Sequence, residues 1–232
     1  MLRKLCFPLN IELKSMEIKF LNYLPKKKKP LKIRRSVSDE DKIKTWKLDK
    51  NYFDGSREQG YGGYKYDGRW KPFAQAMIKH YGLNNKSKIL EIGCAKGYLM
   101  KEFKDLLPKC TIYGVDISEY AILSAHKKIK NNLIIANANS LPFKKSFFDL
   151  TISINSLHNI LNLTDLKKAF KEINRVSKKN KFISLGTYEN IKEKNILDKW
   201  AVLASCYMSK KNWLKFFRLV RYNGDYDWFK PI

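Results

Sequence analysis

The residues whose types and spacing could carry chemistry begin with Glu91, Gly93, Cys94, Ala95 and Gly97. They form a Glu-x-Gly-x-x-x-Gly series that ends the apolar run Ile89–Ile92 and opens the periodic segment from Tyr98. Glycines at both ends of a short turn let the backbone bend and let a ligand approach it closely. Asp116 closes a second apolar run, 23 positions beyond Gly93, where a carboxylate accepts from both hydroxyls of a ribose. Asn155 and His158 follow a later apolar run. An imidazole, with its ordinary pKa of about 6.5, suits proton transfer near neutrality; the competing role is a histidine oriented by a loop hydrogen bond. Tyr64 and Arg69 stand in a stretch, Gly60–Trp70, dense in glycine and aromatics. There, aromatic faces suit a cation and a guanidinium suits a carboxylate.

Two nucleotide-binding patterns fail at the turn. A P-loop needs Gly-Lys followed by Ser or Thr, but Lys96 precedes Gly97 and Tyr98 follows it. A dinucleotide fingerprint counted from Gly93 needs glycines where Ala95 and Tyr98 stand. Ala95 is compatible with a tight turn on the condition that its backbone angle is ordinary.

The elements that must position these residues alternate in type. The pattern predicts a helix from Pro72 to Tyr81, closed by Gly82, then a buried strand, the turn, and a helix reaching Pro108. A strand over Thr111–Ser118 precedes a helix from Glu119 to about Lys130, with Ser118 competing with Asp116 for its N-cap. Leu133–Ala138 reads as the third strand and its exit, and Leu141–Phe143 with Phe147–Asn159 as a turn and the fourth strand. A helix over Asp165–Val176, capped by Thr164, leads to a fifth strand at Phe182–Tyr188. Helices around Leu197–Tyr207 and Asn212–Val220 precede a terminal strand at Tyr226–Phe229. Strands alternating with helices predict an α/β domain with a mostly parallel sheet.

The 232 residues suffice for one core with an extension, and 44% hydrophobic content is globular. Residues 1–45 read as a basic extension or linker, with a Lys run between Pro25 and Pro30, and residues 46–232 as the domain, its strap at 52–70. Met16 offers an alternative start. Four cysteines without a Cys-x-x-Cys pair, and three histidines, suggest neither a disulfide framework nor a metal site, and fit a cytoplasmic protein. No apolar run approaches a membrane span. The net charge of +25 points toward nucleic acid or an anionic surface. Yet only residues 1–50, with 15 basic and 6 acidic residues, concentrate it. Lysine far outnumbers arginine, the preferred bidentate reader of phosphates and bases, and the Lys, Asn and Ile usage matches an AT-rich genome. Nucleic acid is therefore the less favoured partner.

Taken together, Glu91-x-Gly93…Gly97, Asp116, Ala136-Asn137-Ala138 with Leu141-Pro142-Phe143, and Phe148-Asp149-Leu150…Leu157-His158 resemble the class I S-adenosylmethionine (SAM)-dependent methyltransferases. Within them the series is similar to the type 11 group, which includes ubiquinone/menaquinone C-methyltransferases. The resemblance covers about residues 70–190, and the usual Gly-x-Gly-x-Gly departs here at Ala95. It implies a Rossmann-like class I methyltransferase fold: a mostly parallel central sheet, helices on both faces and an antiparallel C-terminal strand. It implies SAM as cofactor, with Glu91, Gly93, Cys94, Ala95 and Gly97 against its methionine part, Asp116 on ribose, and Ile117 beside adenine. Asn137, where an Asp commonly accepts from adenine N6, and Ala138 complete the adenine side, and Asn155 lies beside the transfer site. Tyr64 and Arg69 join the set if the strap is a lid, and His158 is the candidate general base. The expected activity is methyl transfer to a small molecule. A nucleic-acid binder or methyltransferase, and a SAM fold without catalysis, are the alternatives.

Overall fold

The computed structural model describes residues 15–25, 39–56, 60–61, 63–203 and 205–230. In chain order the elements are α1 (Asp39–Thr45), α2 (Lys50–Asp54), α3 (Lys71–Tyr81), β1 (Lys88–Ile92), α4 (Tyr98–Leu106), β2 (Thr111–Asp116), α5 (Glu119–Leu123), β3 (Leu133–Ile135) and β4 (Phe148–Ile154). They continue with α6 (Leu163–Val176), β5 (Ser177–Tyr188), α7 (Ile191–Trp200), β6 (Met208–Ser209), α8 (Lys210–Leu219) and β7 (Asp225–Phe229). The sheet order is β3-β2-β1-β4-β5-β6, with β7 also paired to β5. Strand order reverses between β1 and β4, both parallel to their neighbours, and ligands of such sheets bind outside the carboxyl ends at that reversal.

Alternate residues of each strand face opposite layers. Leu90 and Ile92 meet α6 and α8 through Leu166, Phe170, Trp213 and Phe216. Ile89, Ile112 and Ile152 meet α3 and α4 through Phe73, Met77, Leu99 and Phe103. Helices thus cover both faces, and the strand ends are left to the loops.

The C-terminal strand departs from the expected antiparallel orientation. Phe182 pairs with Asp225 and Gly186 with Phe229, so β7 runs parallel to β5. The two-residue strand β6, also parallel to β5 at Thr187 and Tyr188, supplies the reason. With β6 in place, α8 becomes a helical crossover that returns the chain to the starting end of the sheet, as parallel pairing requires.

Shorter differences have local causes. The helix after Ser118 ends at Leu123 rather than near Lys130, because the chain turns back: His126 N–H donates to Lys96 O at 3.2 Å and Ile129 is buried beneath Gly97. Ser118 is its N-cap, accepting from Ala121 N–H at 3.0 Å. Asn162, not Thr164, caps α6 through a 2.9 Å bond from Asp165 N–H. The helix expected near Leu197–Tyr207 runs earlier, as α7, under Asn190 as cap.

Within the N-terminal extension, residues 15–25 fold onto the sheet. Ile18 N–H donates to Tyr226 O at 2.8 Å and Tyr226 N–H to Met16 O at 2.9 Å, a parallel bridge outside β7. Phe20 is 2% exposed, its ring 5.0 Å from that of Phe182. The run after Pro25 through Arg35 lies outside the described residues. Among the described residues, no helix is long and apolar enough to cross a membrane, and no cluster of His, Cys, Asp and Glu has a metal-holding arrangement.

Candidate functional site

At the end of β1 the side chain of Glu91 is 5% exposed, and among the described residues its Oε2 has no hydrogen-bond partner. Burial pushes this carboxyl well above the usual range, and the charge of Asp116 adds to the effect. A buried orphan acceptor is costly, so Glu91 is held ready for a donor that none of the described residues supplies. The turn that follows is bent through the left-handed region at Gly93 (φ 74°), Ala95 (φ 49°) and Gly97 (φ 71°). A Cβ on Gly93 would lie 2.0 Å from Ser156 Oγ, and one on Gly97 2.4 Å from Ile129 Cδ1. Gly93 is therefore required by packing as well as angle, whereas at Gly97 the close atom is the movable end of Ile129 and the angle decides.

Ala95 does not have the ordinary angle on which its acceptance depended. A left-handed alanine costs roughly 1–2 kcal/mol, and a specific bond offsets this: its N–H donates to Asp116 Oδ2 at 2.7 Å. Asp116 Oδ1 accepts from Ser118 N–H at 2.9 Å. Burial raises the Asp116 pKa despite these bonds, which pull it down. One carboxylate thus joins the ends of β1 and β2, and each of its oxygens keeps a lone pair for a further donor. Beyond it, Ile117 is 58% exposed.

The strap lies over this turn. Lys96 Nζ donates to Asp54 Oδ1 and Oδ2 at 2.7 and 2.6 Å and to Tyr64 O at 3.2 Å. Tyr120 Oη donates to Asp54 Oδ2 at 2.6 Å, and Tyr98 Oη to Tyr64 O at 3.0 Å. Burial pushes the Asp54 carboxyl up, but the bonds from Lys96 and Tyr120 outweigh it and leave its pKa lowered. The Tyr64 ring stacks on Tyr98 at 5.0 Å and 20°, and it packs with Phe53 against Ala95. Burial raises its hydroxyl pKa well above normal, with Tyr61, Glu91 and Cys94 as electrostatic neighbours. Further along, Tyr66 Oη donates to Glu102 Oε1 at 2.5 Å. Arg69 is exposed and bonded to Asp67, at 2.7 Å from Nε to Oδ2. That bond occupies the guanidinium the sequence offered to a ligand carboxylate.

Past β4, Asn155 also takes a left-handed angle (φ 50°). Its N–H donates to Ser184 O at 3.1 Å and its Oδ1 accepts from Ser184 Oγ at 2.9 Å. Ser156, filling the space beside Gly93, brings this segment against the turn. His158 sits differently. It is 3% exposed, its Nδ1 accepts from Gly186 N–H at 2.9 Å, and its ring lies 4.9 Å from Tyr207. Burial lowers its pKa to about 3. A neutral imidazole whose acceptor nitrogen is already used does not fit the general-base role, and His158 instead ties the post-β4 segment to β5. Asn137 is exposed and its Oδ1 accepts from Asn139 N–H at 3.1 Å, leaving one lone pair for an adenine amino group. Ala138 packs against the α6 and α8 side of the core.

The structure therefore brings together Glu91, the 93–97 turn with Cys94, Asp116, Asn155 and Tyr64, while Arg69 and His158 are committed elsewhere. Lys96, Asp54 and Tyr120 went unnoticed in the sequence. Only the acid beside Gly55, at the head of the glycine-rich stretch, hinted at Asp54.

Comparison with known proteins bears on this arrangement. Residues 90–185 match the family described as a methyltransferase domain. The tRNA (carboxymethyluridine(34)-5-O)-methyltransferase of Arabidopsis thaliana is 32% identical over 129 residues, 55% of this chain and 31% of that protein. The malonyl-[acyl-carrier protein] O-methyltransferase of Legionella pneumophila is 34% identical over 97 residues, 40% of this chain and 33% of that protein. These alignments cover about a third of each relative's length. Among solved structures, the YcgJ protein of Bacillus subtilis superposes with a TM-score of 0.52 at 21% identity, over 63% of this chain and 66% of that one, a likeness of fold.

Proposed function

We propose that this chain, whose residues 90–185 match a family described as a methyltransferase domain, is a class I SAM-dependent methyltransferase that binds SAM at the β1–β2 rim and methylates a small-molecule acceptor. The observation that carries this reading is the orphaned Oε2 of Glu91 beneath a left-handed turn. The donor set suits the group: Glu91 would accept from the methionine ammonium, Asp116 from the ribose hydroxyls, and exposed Ile117 would cover one adenine face. When bound, SAM supplies a methyl group on a cationic sulfur. The chain's own residues then have to orient the acceptor and exclude water. Asn155 and Tyr64 would serve the first task and the Lys96-anchored strap the second. The Tyr64 ring would also favour a nearby cation by about 0.5–2 kcal/mol. No general base is assigned, so the acceptor has to arrive already deprotonated or with a free lone pair.

Isothermal titration of the full chain with SAM and S-adenosylhomocysteine tests the reading. Saturable micromolar binding, lost in Glu91→Gln with Asp116→Ala, supports it; a folded chain that binds neither ligand refutes it. RNA as acceptor is a second reading, favoured by the net charge of +25 and by the tRNA-modifying relative. Transfer of labelled methyl from SAM, offered to a metabolite extract and to total RNA at physiological salt, decides between them.

A further inference from the structure

On the face of the sheet covered by α6 and α8, the start of α6, the segment 205–208 and α8 enclose an open groove of about 510 Å³. That volume is in the range of small-molecule sites, and none of the residues assigned to SAM lines it. Its walls are mainly apolar: Leu163, Cys206, Met208, Phe216 and Leu219. Leu163 and Leu219 stay 49% and 65% exposed, although α8 has a full buried face in Trp213, Phe216 and Phe217. These exposed leucines extend the apolar lining of the groove to its mouth, making one contiguous apolar surface.

The same groove is tied to the catalytic side of the sheet. Ser205 and Cys206 N–H donate to His158 O at 3.2 and 3.0 Å. Met208 O accepts from Thr187 Oγ1 at 3.0 Å, and Tyr207 packs into the space left by the missing side chain of Gly186. These bonds hold the groove wall at the carboxyl ends of β4 and β5, where an acceptor must arrive. They also give buried His158 a purpose, as the post that fixes the wall.

Charge selects the occupant. Lys215 lines the groove and is exposed. Helix α8 contains no acidic residue, and its first lysine, Lys210, is the one paired with Glu189, at 2.5 Å. Among the described residues Lys215 makes no ion pair, and Lys211 and Arg218 stand exposed on the same helix. We propose that this groove binds the apolar body of an amphipathic organic anion, with Lys215 meeting its acid group, and that such a molecule is the methyl acceptor. The assignment of the occupant as acceptor rests on the methyl-transfer reading; the binding of an aliphatic anion does not.

The test uses the full chain, with sodium dodecanoate and dodecyltrimethylammonium as probes below their micelle concentrations, followed by calorimetry. Dodecanoate should bind saturably and about tenfold more tightly than the cation, the preference expected of one charge-assisted contact. Lys215→Glu should abolish that preference, and Leu219→Ser should weaken both probes about fivefold by removing apolar contact. Both positions are exposed, so both variants should fold and bind SAM as the parent does. Absence of saturable dodecanoate binding, or an unchanged preference in Lys215→Glu, would overturn the proposal. So would a face that binds poly(U) RNA through Lys215 while ignoring dodecanoate, which would assign it to nucleic acid. Dodecanoate binding by a chain that fails to bind SAM would refute methyl transfer and leave the groove as an anion-binding site.

Discussion

The ammonium of Lys96 lies between both carboxylate oxygens of Asp54, 2.7 and 2.6 Å away, across 42 positions of sequence. Lys96 belongs to the turn after β1 and Asp54 to the strap, so the two walls of the site are joined by one ion pair. The lysine side chain is 7% exposed and the aspartate 24%, so water screens the pair little. Tyr120 Oη, donating to the same carboxylate, adds α5 to the junction.

Replacing Asp54 by Asn should therefore loosen the cover without removing a group from the proposed cofactor site. The lysine would lose its counter-charge, at a cost of about 1–3 kcal/mol in stability, measured by urea unfolding. SAM should dissociate about tenfold faster in stopped-flow measurements, because the Tyr64 segment is no longer held down. An unchanged dissociation rate in a destabilised variant would make the pair purely structural.

Ala95 offers a test of the turn. Its φ of 49° is left-handed, which glycine adopts freely and a β-branched residue strongly resists. Ala95→Gly should keep stability within about 1 kcal/mol of the parent, since relief of strain is offset by added freedom in the unfolded chain. Ala95→Val should lose more than about 2 kcal/mol. Thermal unfolding of both variants separates strain from packing: a well-folded valine variant would refute the strain argument.

Asp116 anchors the turn through Ala95 and Ser118 and, on the proposed reading, would also hold the ribose, and its substitutions should divide these two jobs. Asp116→Ala deprives Ala95 and Ser118 N–H of their acceptor and should weaken both stability and SAM binding by about 1–3 kcal/mol. Asp116→Asn keeps one carbonyl acceptor and should lose less stability than the alanine variant while still binding SAM weakly. Equal SAM affinity in parent and Asp116→Ala would exclude the ribose role.

Much of the fold was legible because the strong signals are local. The run Ile89–Ile92 ending in Gly93 could only be a buried strand entering a tight turn, and Asp116 followed by Ser118 marked the next strand end and helix cap. The orientation of β7 was not legible, because it depends on β6, two residues that carry no periodicity of their own. The junction of Lys96, Asp54 and Tyr120 was hidden for a related reason: its members are far apart in sequence, and each alone resembles a surface polar residue. His158 had the right chemistry for a base and the wrong surroundings, which only burial and the Gly186 N–H reveal. The strained angle of Ala95 needed the position of Asp116 to explain it.

His158 gives the last prediction, which concerns pH. Its folded-state pKa of about 3 lies below the ordinary 6.5, so the folded chain binds the imidazole proton less readily than the unfolded chain does. The stability contribution is complete above about pH 6.5 and is lost as pH falls toward 3, at a slope of about 1.4 kcal/mol per unit. Glu91 and Asp116 have raised pKa values and oppose this, since their protonation is favoured in the folded state; the slope must therefore be isolated by difference. His158→Asn retains a side-chain acceptor for Gly186 N–H and removes the titrating group. Subtracting its urea-derived stability from that of the parent between pH 4 and 7.5 should leave the histidine slope alone. Methyl transfer by the parent should show no step near pH 6.5 assignable to His158, and His158→Asn should retain most of the turnover. A parent profile that rises with an apparent pKa near 6.5 and flattens in His158→Asn would restore the histidine as base and would mean that the segment 205–208 opens during the reaction.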